Sequence, residues 1–199
     1  MVKQALGRLV ASDISTRVSH HAGIEDPMHV LCLVDGLATA EVGRTCVLLW
    51  RGVVNETRFQ LQREAMEHVT SRYPGEASIL CVIEPTSEPP PQQLRDAATN
   101  LLVELGPKLR CVAYVIEGTG FRAAMIRGVL SGIELVRRNK TYPARYFATV
   151  GQASAWIAVE TGRKSLELSE ACHRLRGRMD SVDEQRAPRS SGTAAWPTR

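Results

Sequence analysis

The sequence predicts a single α/β domain: a mixed sheet of about five strands flanked by four helices, with an extra C-terminal helix. Three observations carry that prediction. Two short apolar runs, "HVLCLVDG" (29–36) and "TCVLLWRGV" (45–53), are joined by "LATAEVGR" and form a strand pair. Beyond them, apolar strand-like runs alternate with segments of helical periodicity, the order that produces parallel strands under helical cover. A length of 199 residues with 44% hydrophobic content supplies one full-sized core but not comfortably two.

Each element has its own signal. Asn55 stands at a helix-cap position before "ETRFQLQREAMEHVTSRYPG", in which Phe59, Met66, Val69 and Tyr73 recur at helical spacing until Pro74-Gly75 stops the helix. "ASILCVIEP" (77–85) is apolar on both faces, as a central strand should be. The prolines of "TSEPPPQQLRDAATNLLVELGPKL" fit a lead-in and first turn, after which Leu94, Ala98, Leu101, Leu105 and Leu109 form one face of a helix. "CVAYVIEG" (111–118) repeats the shape of the preceding strand, and the helix "GFRAAMIRGVLSGIELVRRN" follows it. "TYPARYFATV" is a strand near an edge, because Pro143 starts it, and "GQASAWIAVETG" is a short helix ended by Gly162. In the last helix, 163–180, Leu168, Cys172, Leu175 and Met179 recur as a narrow seam that packs on its own domain or meets a partner.

These elements divide the chain into a mobile N-terminal leader (1–27), an α/β domain (28–162), an amphipathic helix (163–180) and a disordered tail (181–199). The leader lacks sustained periodicity. Met28 stands directly before the first strand, where a start codon would also fall, so whether residues 1–27 belong to the native protein stays open. The tail is polar and rich in small residues, too poor in apolar surface to offset its ordering entropy.

Composition removes several function classes. A net charge of +4 permits an anionic partner without demanding one. No apolar stretch is long enough to span a membrane, and the first residues lack the apolar segment of an export signal. The five cysteines (Cys32, Cys46, Cys81, Cys111, Cys172) include no C-x-x-C pair, and four lie in apolar strand-like runs, where a thiol behaves as a small hydrophobe. That usage predicts a reducing, cytoplasmic setting without metal or disulfide. His20, His21, His29, His68 and His173 form no ligand pattern, and His29 and Cys32, three apart on a strand, are expected on opposite faces.

The most suggestive motif is "EGTGFRA", whose Gly118, Gly120 and Ala123 match G-x-G-x-x-[G/A]. In a dinucleotide fold that turn follows the first strand and is answered by an acidic residue ~20 positions on. Here it follows the fourth strand, Glu117 sets a negative charge beside it, and no acidic residue lies between Glu134 and Glu160. A tight strand-to-helix turn accounts for the glycines, and no cofactor is expected. Ala124, Gly128 and Gly132 make a small-residue groove along the next helix; two interior glycines cost about 1 kcal/mol each, which close packing in the domain or a dimer contact would offset. Glu84 and Glu117 each lie just past a parallel strand, the edge where α/β proteins place their sites, and Asp35 ends the first strand comparably. They would serve as paired carboxylates or as solvated charges near helix N-termini. The cations of "RRNK" (137–140) and Arg145 lack interleaved aromatics, so nucleic acid is not an expected partner.

The segment "RYFATVGQASAWIAVETG", with Phe147, Ala153, Ala155, Trp156 and Ile157, resembles the end of SpoIIAA-like, STAS-superfamily domains. "KLRCVAYVIEG" and "LLWRGVVNETRFQLQREAMEHV" resemble earlier parts of that family, so that the likeness runs over roughly residues 28–160. The resemblance implies a small α/β domain without catalysis that acts as a protein-binding switch, in some members through a phosphorylated serine preceded by aspartate. This chain lacks the Asp-Ser pair; Thr86, Ser87 and Thr119 are the hydroxyls at comparable turns, with Thr119 the candidate phosphoacceptor.

The expectation is therefore a non-enzymatic cytoplasmic regulatory or scaffolding domain that binds a partner protein. Its surface would be made by Gly118, Thr119, Gly120 and Arg122 with Leu168 and Leu175 of the last helix. The alternative is a small-ligand binder or enzyme using a cleft near Glu84, Glu117 and Gly118. A self-assembling structural protein, with a homodimer contact, is the third reading.

Overall fold

Asp35 and Gly36 make the two-residue turn from which the sheet is built. The computed structural model of the chain describes residues 28–136, 141–162 and 164–186. Gly36 has φ +72°, and a Cβ there would meet the Arg51 carbonyl oxygen at 2.6 Å, so only glycine fits. The turn joins β1 (Met28–Val34) to β2 (Leu37–Val42), which pairs antiparallel with β3 (Thr45–Trp50). From β3 the chain runs through α1 (Glu56–Arg72), β4 (Ala77–Ile83), α2 (Gln92–Leu105), β5 (Leu109–Ile116), α3 (Phe121–Val136) and β6 (Ala144–Phe147). The strands β3 to β6 are parallel, and the six lie in chain order across one sheet. Helices α4 (Val150–Thr161) and α5 (Ser165–Arg186) complete the chain.

Helices α1, α2 and α3 cover one face of the sheet over Leu48, Ile79 and Val112, while α4 and α5 cover the other over Val47, Leu80 and Ala113. The predicted α/β class is what the structure has, in three layers. Its central strands are buried on both faces, which explains why "ASILCVI" is apolar without alternation. The caps act as the sequence implies. Asn55 Oδ1 accepts the Arg58 N–H at 2.9 Å, and Gly162 ends α4 in the left-handed conformation.

Several expectations need correction. The linker "LATAEV" is itself the strand β2, fully buried between β1 and β3, which raises the count from five strands to six. Leu109 belongs to β5, because a short 3-10 turn at Gly106–Lys108 ends the preceding helix. The last helix runs on to Arg186, six residues into the segment assigned to the tail; residues 1–27 and 187–199 lie outside the described residues. A bulge between Val30 and Cys32 resets the alternation of β1. His29 pairs with Glu41, whose carboxylate faces α1, and Cys32 lies within electrostatic reach of Glu64 on α1. The two therefore share a face.

Cys46, Cys81, Cys111 and Cys172 are buried as free thiols. Burial pushes Cys81 and Cys172 up to about 12; for Cys172, the opposing pull of Arg176 does not cancel that effect. An unfolded thiol starts losing its proton near 9, so above that pH the unfolded chain binds fewer protons than the folded one and stability falls. The urea midpoint should accordingly drop between about pH 8 and about pH 10.5. A thiol reagent at pH 8 should label Cys32 ahead of the four buried cysteines. An unchanged midpoint with uniform labelling would show that the thiols are solvated.

Candidate functional site

Three parallel strands end together, and each delivers a charge to the same edge. Arg51 follows β3, Glu84 follows β4 and Glu117 follows β5. The backbone ladder continues one step past the strands, with Glu84 N–H donating to Trp50 O and Glu117 N–H to Ile83 O, both at 3.0 Å. That extra step holds both carboxylates in place. Helix α5 crosses above them. Its Leu168, Cys172, Leu175 and Met179 are buried against the sheet, and Arg176, beside Leu175, is brought over the edge.

The result is one connected ionic network. Arg176 Nε donates to Glu84 Oε1 at 2.7 Å, and its Nη2 donates to both oxygens of Glu117 at 3.0 Å. Arg51 Nε donates to Glu84 Oε2 at 2.6 Å, and its terminal nitrogens reach Asp180 at 2.8 Å and Asp183 at 2.5 Å on α5. Hydrogen bonding to Glu84, with further support from Asp180 and Asp183, raises the Arg51 guanidinium pKa against its partial burial. Burial works to lower that of Arg176, but Glu84 and Glu117 together outweigh it and the net shift is upward. Glu84 is 8% exposed at its side chain. Two guanidinium groups thus hold four carboxylates, and both Glu84 and Glu117 are bonded to a fixed arginine, an arrangement that locks α5 to the sheet.

The sequence-predicted surface separates into two parts. Leu168 and Leu175 lie in the core under α5, so the seam faces the domain and these two residues cannot serve as a docking surface. Gly118, Thr119, Gly120 and Arg122 are exposed together at the start of α3. Gly118 has φ +85°, and a Cβ there would press on Pro85 at 3.1 Å, which explains the glycine without a phosphate. Arg122 donates to Thr86 O at 3.4 Å. Ser87 is buried, its hydroxyl donating to Trp50 O at 2.9 Å, which withdraws it from the candidate phosphoacceptors. Asp35 lies at the same sheet edge but two strands away, paired with Arg58 at 3.1 Å. Residues 137–140 lie outside the described residues, and Arg145 sits over the Trp156 ring at 5.5 Å. Among the described residues, no group of His, Cys, Asp and Glu is arranged to hold a metal, and no helix is long and apolar enough to cross a membrane.

The groove of small residues on α3 does not meet its expected packing. A Cβ at Gly128 or Gly132 would touch none of the described residues within 4 Å, and Ala124 is exposed. The stripe faces outward, next to Phe121 at 80% and Met125 at 40% exposure. The inward face of α3 is different: Ile126, Val129 and Leu130 roof an apolar cavity of about 110 Å3 over Trp50, Ile79 and Tyr114.

Sequence reasoning missed Arg51, Arg176 and the cavity. It also missed Glu41, buried on β2, which accepts from Tyr73 Oη at 3.0 Å and lies 3.1 Å from His68 Nε2. A glutamate inside an otherwise apolar and small-residue strand was the available signal. No family model, no curated protein and no solved structure matches this chain.

Two outcomes follow from this geometry. Arg176→Ala leaves Glu84 with one cation and Glu117 with none from α5, and should cost about 2–3 kcal/mol in urea unfolding. A loss under about 0.5 kcal/mol would place the pair among weak surface bridges. Ala98→Leu on the cavity wall adds apolar side chain to an underfilled space and should raise the melting temperature; a fall would mean that the space is already filled by side-chain motion.

Proposed function

We propose that this chain is a non-enzymatic regulatory or scaffolding domain that binds a partner protein through the outward face of α3, in a cytoplasmic setting. One observation carries the reading: Phe121, Met125, Gly128 and Gly132 fall at i, i+4, i+7 and i+11, on one side of α3, with none of the described residues against the two glycines. Arg122 and Arg127, both exposed, border that stripe on opposite flanks. The matching partner surface is a helix with an apolar ridge between carboxylates. The glycines would let it approach to the short end of ordinary helix–helix spacing, about 8 Å between axes. Each interior glycine costs about 1 kcal/mol against alanine with no packing among the described residues to offset it, which supports selection for a contact made elsewhere. The resemblance to SpoIIAA-like, STAS-superfamily domains agrees with this reading. Thr119, exposed at the N-terminus of α3, is the proposed phosphoacceptor, where a phosphate would meet the positive end of the helix dipole and repel an acidic partner.

The test compares capture from the native cell extract by the tagged chain and by Phe121→Asp and Gly128→Leu. Both positions are exposed, so both variants should melt within a few degrees of the parent. A partner held near one-to-one by the parent, and reduced at least tenfold by each variant, is the expected result. Retention by both variants would overturn the surface. A mass of two copies for the purified parent, reverting to one in Phe121→Asp, would make the partner a second copy of this chain.

A further inference from the structure

We propose that the cavity beneath α3 is a binding site for a small uncharged hydrocarbon body, of the size of a single aromatic ring. The inference is independent of the partner surface, because it rests on the opposite face of the helix.

Three features of the cavity support it. Its volume is about 110 Å3, slightly below the ~150 Å3 of an engineered protein cavity that stays dry and takes up benzene. Its walls are almost wholly apolar, from Phe59 on α1, Leu101 on α2, Ile79 and Tyr114 on the sheet, and Ile126 and Leu130 on α3. Two of its few polar groups are already engaged within the wall: Trp50 Nε1 donates to Gln62 Oε1 at 2.7 Å, and Ser87 Oγ donates to Trp50 O at 2.9 Å. A hydroxyl or charge on the ligand would lose its water against a mostly apolar wall, so the chemistry selects against polar substituents.

The cavity also has an approach. Glu88 is the exposed residue of its lining, and Val54 and Pro90 beside it are half-buried, so the opening lies between the loops that follow β3 and β4. This is the C-terminal edge of the parallel strands, where α/β sheets place ligand sites. The rim is pinned by Glu88 N–H donating to Gly52 O at 2.9 Å and by Arg95 Nε donating to Pro90 O at 2.9 Å. With Glu88 and Arg95 both at the rim, neither sign of charge is favoured at the entrance.

The experiment uses toluene and phenol as probes on the full chain, following methyl and indole NMR shifts. Toluene should shift resonances of Trp50, Leu101 and Ile126 in a saturable way, with phenol binding about tenfold more weakly after correction for its solubility. Ala98→Leu, which narrows the cavity from the α2 side, should remain folded and lose toluene binding at least tenfold. Gln62→Leu frees the Trp50 N–H inside the wall and should narrow the toluene-to-phenol ratio. Absence of saturable toluene shifts at its solubility limit would overturn the site. So would equal binding of toluene by the parent and by a folded Ala98→Leu, or a preference for phenol over toluene.

Discussion

The arrangement at the C-terminal edge of the parallel strands depends on how Glu84 is neutralised. Burying a carboxylate costs several kcal/mol, and here the cost is met from two directions, by Arg51 on the neighbouring strand and by Arg176 on α5. An apolar contact would hold α5 to the sheet about as firmly, since a hydrophobic replacement of a buried ion pair is often neutral or stabilising. An apolar seam, however, tolerates sliding by a turn. Charged anchors do not: shifting α5 by one turn would take Arg176 from Glu84 and Glu117 and leave a buried charge exposed to the full desolvation penalty. Asp180 and Asp183, one and two turns further on, extend the same fixing to Arg51. The network therefore sets the register of α5, and the buried seam supplies the adhesion.

That division explains which parts of the protein were legible in sequence. Hydrophobic periodicity located α1, α2, β4 and β5, because their burial follows from local spacing. It missed β2, where two alanines and a glutamate interrupt the apolar, β-branched run of an ordinary buried strand. That strand is buried by pairing on both sides and by the helices, not by the apolarity of its own side chains. The seam of α5 was visible, but its direction was not, since a heptad-like stripe looks the same whether it meets the parent sheet or a partner. The ionic network was out of reach for a different reason. Arg176 and Glu84 are separated by 92 residues, and no local pattern marks which of many surface arginines will be folded over a buried carboxylate.

The glycines of the turn before α3 show the converse hazard. Gly118-x-Gly120 looks like a phosphate loop because the requirement for positive φ is the same in both settings. In this chain the requirement comes from a strand-to-helix reversal pressed against Pro85, with Glu117 held by Arg176 immediately upstream. Motif and geometry agree on the residue type and disagree on the reason for it.

Helix α3 is the element in which these strands of argument meet. Among the described residues, its inner face meets the sheet through Ala123, Ile126, Val129 and Leu130, and leaves a cavity where denser packing would have stabilised the domain. Its outer face carries two glycines that nothing in the described chain requires, and a phenylalanine left in water. Both features lower the stability of the same helix, while the central strands β2 to β5 are tightly covered and α5 is charge-locked. Proteins draw their binding elements from the low-stability end of the structure, because an element already held at the full stability of the core has little left to gain from a ligand or a partner. On that argument, the weak attachment of α3 is the property that its two unfilled faces have in common, and the firm anchoring of α5 confines that looseness to one side of the sheet.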